Sequence, residues 1–167
     1  MLKNFLDKFF ICLYSVCTQC RYTTMEELMK NIDCYCAASR HGAQILTSFY
    51  DEQMKPAGLS ISQYFLLSQL KKMGKGNITQ WAEYAGLERS TMVRNLKSLE
   101  KQGWLTRAEG SGKTWTLSPS GEEILAKAYP VWEKAQQKVE NILGKEDAAE
   151  LIRIQTRLSA AAAMNKI

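Results

Sequence analysis

Between residues 24 and 54, apolar or small side chains recur at Leu28, Ile32, Tyr35, Ser39, Ala43, Leu46 and Tyr50. Spacings of three and four predict one long amphipathic helix. Thr24-x-x-Glu27 forms a capping-box pattern at its start, and Pro56 and Gly58 end it. A second helix is expected from Ser60-x-x-Gln63 to about Lys72, hiding Tyr64, Leu67 and Leu70. Met73-Gly74-Lys75-Gly76 breaks it. Asn77-x-x-Gln80 caps a short third helix, "ITQWAEYA", and Gly86 turns the chain. A fourth helix runs from about Glu88 to Gln102, and Gly103 stops it. Its hidden edge is Val93, Leu96 and Leu99, packed on Ile78, Trp81 and Leu87.

The period then changes. "WLTRAE" (104–109) and "KTWTLS" (113–118) are rich in aromatic and β-branched residues and read as two strands. Gly110-Ser111-Gly112 joins them as a hairpin. Ser118-Pro119 opens a fifth helix, with Glu122 and Glu123 at its positive end. It continues to about Leu143, bent at Pro130, with a stripe of Ile124, Ala128, Val131 or Trp132, Ala135, Val139 and Ile142. Gly144 ends it. A last helix, about 146 to 162, is expected to bury Leu151, Ile154 or Gln155, and Leu158.

The fold class is therefore mainly α with a small β-hairpin wing: a winged helix-turn-helix plus long dimerisation helices. Residues 57–118 make the winged helix-turn-helix. Residues 25–56 and 119–167 make a helical dimerisation region, because their apolar stripes need partners. Residues 1–24 are an N-terminal extension, either an amphipathic helix or a translational over-read with Met25 as the start.

The fourth helix poses the functional question. "ERSTMVRNLKSLEKQGW" sets Arg89, Ser90, Thr91, Arg94, Asn95 and Lys97 on one segment. They suit a polar, anionic partner. A helix fits the major groove of B-form DNA, where Arg reads guanine, Asn reads adenine, and Ser or Thr meets bases or phosphates. Ser62 and Gln63, and Thr79 and Gln80, stand at helix starts whose backbone N–H groups suit phosphate. Arg107 and Lys113 lie on the hairpin.

Charge sharpens this picture. The chain has 167 residues and a net charge of +5. From Lys71 to Lys113 there are nine basic and four acidic residues, and the remainder is balanced at thirteen of each. The whole excess lies around the helix-turn-helix, where it draws polyanions. The partner expected is double-stranded DNA. The alternative is a protein-interaction module that uses its winged helix without DNA.

Other chemistry is sparse. All five cysteines fall within the first 36 residues, a poor match to a secreted disulfide framework, so the cytoplasm is the expected compartment. The apolar run Phe9 to Val16 is too short to span a bilayer, and no membrane role is expected. Cys34 and Cys36 are redox candidates, with inert thiols the blander reading. On a helix, residues two apart point away from each other, which argues against a shared metal, including a four-thiolate zinc site with Cys17 and Cys20. His41 is the single histidine, and no P-loop or GxGxxG occurs. No catalytic site, metal or cofactor is expected, and the chain does not read as an enzyme.

Gly58-Leu59-x-x-x-Gln63, Leu87-x-Arg89-Ser90-Thr91, Leu99-Glu100-Lys101-x-Gly103 and Leu117-Ser118-x-x-Gly121 together resemble the multiple antibiotic resistance regulator (MarR) family of bacterial repressors. The similarity runs from about residue 26 to 162. The resemblance implies a homodimer held by the first and last two helices, a palindromic operator, and release of DNA by a small-molecule inducer or an oxidant. It also implies that Ser90, Thr91, Arg94 and Asn95 face the groove. Two features depart from the family. The wing "EGSGKT" is short and lacks the usual Asp-x-Arg pattern, leaving Lys113 as the nearby substitute. The position of the family's peroxide-sensing cysteine falls on Ile32.

Overall fold

The computed structural model describes residues 34–110 and 113–164. The N-terminal extension, the first ten residues of the expected first helix and Cys17 and Cys20 lie outside the described residues. The chain divides into two compact units, Met1–Gln44 and Ile45–Ile167. In the first, the described part is Cys34 and the opening turns of helix α1 (Tyr35–Met54).

The second unit holds the rest. α1 is followed by a short 3-10 turn (Lys55–Ala57) carrying Pro56, then by α2 (Ile61–Met73), strand β1 (Gly76–Asn77), α3 (Ile78–Ala85) and α4 (Arg89–Lys101). Strands β2 (Leu105–Arg107) and β3 (Thr114–Leu117) come next, then α5 (Pro119–Leu143) and α6 (Lys145–Ala163).

Local sequence accounts for most of these boundaries. Ser60 accepts from the Gln63 N–H while the Gln63 side chain accepts from the Ser60 N–H, a complete capping box at α2. Asn77 and Gln80 do the same at α3. Gly86 closes α3 at φ 64°, a left-handed conformation that favours glycine. Ser118 caps α5 by accepting from Gly121 N at 3.0 Å, with Pro119 as first helical residue. α5 continues unbroken through Pro130.

The sheet has three strands in the order β1-β3-β2, all antiparallel. The expected hairpin is present, but β1 adds an edge strand that the Gly74–Gly76 breaker hid. Gly76 pairs with Trp115 and Asn77 with Thr114. A side chain at position 76 would meet Met73 Cε at 2.9 Å, so the flexible end of Met73 would have to shift to admit one.

The core gathers Met54, Leu59, Leu66, Leu67, Leu70, Trp81, Met92, Leu99, Trp115, Leu125 and Ala128. Two packing expectations change. α4 turns Met92 inward with Leu96 and Leu99, whereas Val93 is only half-buried. Positions 92, 96 and 99 keep the three-four spacing about a single edge, and Val93 falls on its flank. α6 buries none of its residues within the chain: Ile154 and Leu158 are exposed and Leu151 is half-buried.

Candidate nucleic-acid interface

α3, the Gly86 turn and α4 form the helix-turn-helix. Beyond the Gly86 turn, Leu87 N donates to Ala82 O at 2.9 Å, which fixes where α4 begins. Glu88 is the N-cap of α4 but makes no side-chain capping bond, and the first turn contains no acid. The first-turn N–H groups of α4 therefore have no side-chain cap, although the Glu88 carboxylate stands beside the positive helix end.

Successive residues rotate about 100° around a helix. With Met92, Leu96 and Leu99 inward, Ser90, Arg94, Lys97 and Lys101 fall on the opposite side and are exposed. Thr91 and Asn95 are half-buried on one flank. Arg89 is exposed at the first turn. Arg94 Nη2 donates to Thr91 Oγ1 at 3.2 Å, a bond across one turn that aims the guanidinium along the outer face. The residues expected to read DNA on this helix thus share one polar surface.

The helix-start candidates are distributed differently. Ser62, Thr79 and Gln80 are exposed and Gln63 is half-buried. The backbone N–H groups of Gln63 and Gln80 are already taken by their capping boxes. What these two positions offer an outside partner is the side-chain NH2 rather than the backbone donor that the sequence pattern suggested.

On the wing, Lys113 is exposed. Arg107 is also exposed but lies over the Trp115 ring. Its Cζ lies 3.9 Å from the Trp115 ring centroid, and Nη2 is 3.4 Å from Glu100 Oε1. Trp115 Nε1 donates to the same Glu100 oxygen at 2.7 Å. Sequence reasoning placed Arg107 on the hairpin and missed Glu100. In the sequence it was one of four acids in a basic segment and a member of the Leu99-Glu100-Lys101-x-Gly103 motif.

The base of the wing is tied to α5. Ser118 Oγ and Ser120 Oγ both donate to Gly103 O, at 2.6 and 2.7 Å. A Cβ on Gly121 would sit 2.1 Å from Trp104 O, so glycine is the residue that lets the helix start press against that backbone.

Cys34 and Cys36 are both exposed free thiols in the first unit. Among the described residues, no group of three His, Cys, Asp or Glu side chains could hold a metal ion. Also among the described residues, no helix is long and apolar enough to cross a membrane.

Comparison with known proteins agrees with this geometry. Residues 59–111 match the model of the MarR family. A curated relative is an uncharacterized HTH-type transcriptional regulator, YwoH, of Bacillus subtilis (strain 168). It is 32% identical over 71 residues, 42% of this chain and 52% of the relative. The match thus spans about half the length of that relative. Among solved structures, the M. tuberculosis transcriptional regulator MosR is 28% identical with a TM-score of 0.70, covering 80% of this chain and 98% of its own. The same regulator in complex with DNA gives 26% identity and a TM-score of 0.69 over 81% and 100% of the two chains. The transcriptional repressor CouR, bound to p-coumaroyl-CoA, shares the fold at 21% identity and TM-score 0.71, over 83% and 98%.

Proposed function

We propose that the chain is a MarR-family transcriptional regulator that binds a palindromic operator as a homodimer and represses transcription until a small ligand or an oxidant releases it, a reading supported by the match of residues 59–111 to that family's model. The observation that carries this reading is the outer face of α4, where Ser90, Arg94 and Lys97 are exposed opposite a fully apolar edge. Ser90, Thr91, Arg94 and Asn95 meet base edges in the major groove. Arg89, Lys97, Ser62, Gln63, Thr79, Gln80 and Lys113 meet the phosphate backbone and set the register. With a chromosomal operator as partner, the protein works in the cytoplasm.

The dimer is supported by α6, which exposes Ile152, Ile154 and Leu158 and buries nothing within its own chain. Two copies about a two-fold axis present two α4 helices to successive major grooves, which requires a palindrome. The repressor reading draws on CouR, a fold neighbour bound to a small ligand; the inducer of this chain is left unnamed.

Selection from random double-stranded DNA tests the reading. The expected outcome is an inverted repeat with half-sites about 10 base pairs apart or a multiple of that. Its affinity should fall steeply with added salt. Retention that is blind to both sequence and salt overturns the proposal in favour of a protein-interaction module.

A further inference from the structure

Glu100 is an acid in the segment that must approach DNA, and the function above makes no use of it. Its carboxylate nevertheless engages two side chains of the wing. One oxygen, Oε1, accepts from Trp115 Nε1 at 2.7 Å and lies 3.4 Å from Arg107 Nη2. Arg107 and Trp115 are direct cross-strand partners on β2 and β3, and the guanidinium stacks over the indole at 3.9 Å. Glu100 stands near the C-terminal end of α4, on the flank away from Thr91 and Asn95. The three side chains therefore bridge the two parts that must meet DNA together, the reading helix and the wing.

We propose that Glu100 is a positioning residue for DNA binding: it latches the wing to α4 through Trp115 and Arg107, and Arg107 acts through this latch rather than on the nucleic acid. The inference rests on the DNA-binding reading above. Physically, the ring of Trp115 is buried, so its N–H needs an acceptor inside the fold. A carboxylate fills that role and simultaneously neutralises the guanidinium held over the ring. β1 pairing and the Ser118 and Ser120 bonds to Gly103 O anchor the base of the wing, and the Glu100 contacts add a direct side-chain tie between its strands and α4.

The sign of one substitution separates the latch from simpler ideas. Removing an acid beside DNA should strengthen binding if Glu100 only repels phosphate. The latch requires the opposite. Glu100→Gln and Arg107→Gln are each expected to weaken operator binding by about fivefold. The double variant should be no weaker than the poorer single one, because both break the same unit. Arg107→Lys, which keeps a cation over the ring, should recover part of the loss. Hydrogen exchange of the free proteins should quicken in β2 and β3 of both single variants while α2 and α5 stay protected. If Glu100→Gln does not fold, Trp115→Phe, which removes the indole donor to Glu100, breaks the latch from the other side and is read in the same way.

Tighter or unchanged binding by Glu100→Gln overturns the proposal, as does full additivity with Arg107→Gln. A wild-type chain that binds no DNA instead overturns the functional reading. In that case the exchange experiment still decides whether the latch holds the wing, and unchanged β2 and β3 exchange rejects it.

Discussion

The winged-helix segment and the last helix dispose of apolar surface in opposite ways. Leu67, Leu70, Trp81, Met92 and Leu99 are fully buried within the chain, contributed by α2, α3 and α4. On α6, Ile152 is 66% exposed, Ile154 44% and Leu158 43%. The first region satisfies its own hydrophobic demand and turns polar side chains outward. The second presents apolar side chains that the other described residues leave exposed, the kind of surface that suits another molecule. Under the proposed function, reading and association would be carried by separate faces, and substitutions should disturb one without the other.

The largest expected effect breaks the self-contained region. Gly121→Ala places a methyl where Trp104 O lies 2.1 Å away, and that partner is backbone. A loss of about 4 kcal/mol in unfolding free energy, read by denaturant titration, is expected from such overpacking at a helix start. Next in size is the association face. Ile154→Glu with Leu158→Glu should weaken dimerisation by about 3 kcal/mol, roughly a hundredfold, measured by analytical ultracentrifugation. Secondary structure of the winged-helix segment should survive that change. If the double variant leaves association intact, α6 is not the dimer surface.

Arg94→Ala addresses the reading face. It should cost about 2 kcal/mol for the selected operator in a gel-shift titration. The melting temperature should barely move, because Arg94 is exposed and its recorded partner, Thr91, is on the same helix. A large stability loss with unchanged binding would reverse the contrast between the two regions. Smaller again is Asn77→Ala, which removes one half of the α3 capping box and should cost about 1 kcal/mol in stability.

The smallest effect concerns the contact between α1 and α5. Tyr50 OH donates to Gln136 Oε1 at 2.6 Å, and burial, followed by the Glu140 carboxylate, raises the Tyr50 pKa above its ordinary value. The neutral phenol is the favoured folded form. Its contribution is whole at neutral pH and is lost as pH climbs through the raised value. Tyr50→Phe should make the alkaline fall in stability shallower, by under about 1 kcal/mol for so partly exposed a group.

Much of this was legible in the residues. Capping patterns at Ser60, Asn77 and Ser118 marked helix starts because a side-chain acceptor three residues before an N–H is a local device. Gly86 marked the turn because few other residues adopt its φ. β1 was not legible, since two residues flanked by glycines carry no period; it exists only because β3 lies alongside. The choice of Met92 over Val93 was equally hidden, because both are apolar and only the placement of α2 and α3 decides which points inward.

The residues alone determined where helices begin and end, where the positive charge collects, and which helix carries the hydrogen-bond donors. These follow from capping, periodicity and net charge, all short-range properties of a chain. Tertiary packing decided the rest. It pressed Gly121 against Trp104. It also brought Glu100 to Trp115 and Arg107, contacts between residues many positions apart. Such meetings depend on how separate elements stack, and no local pattern encodes them.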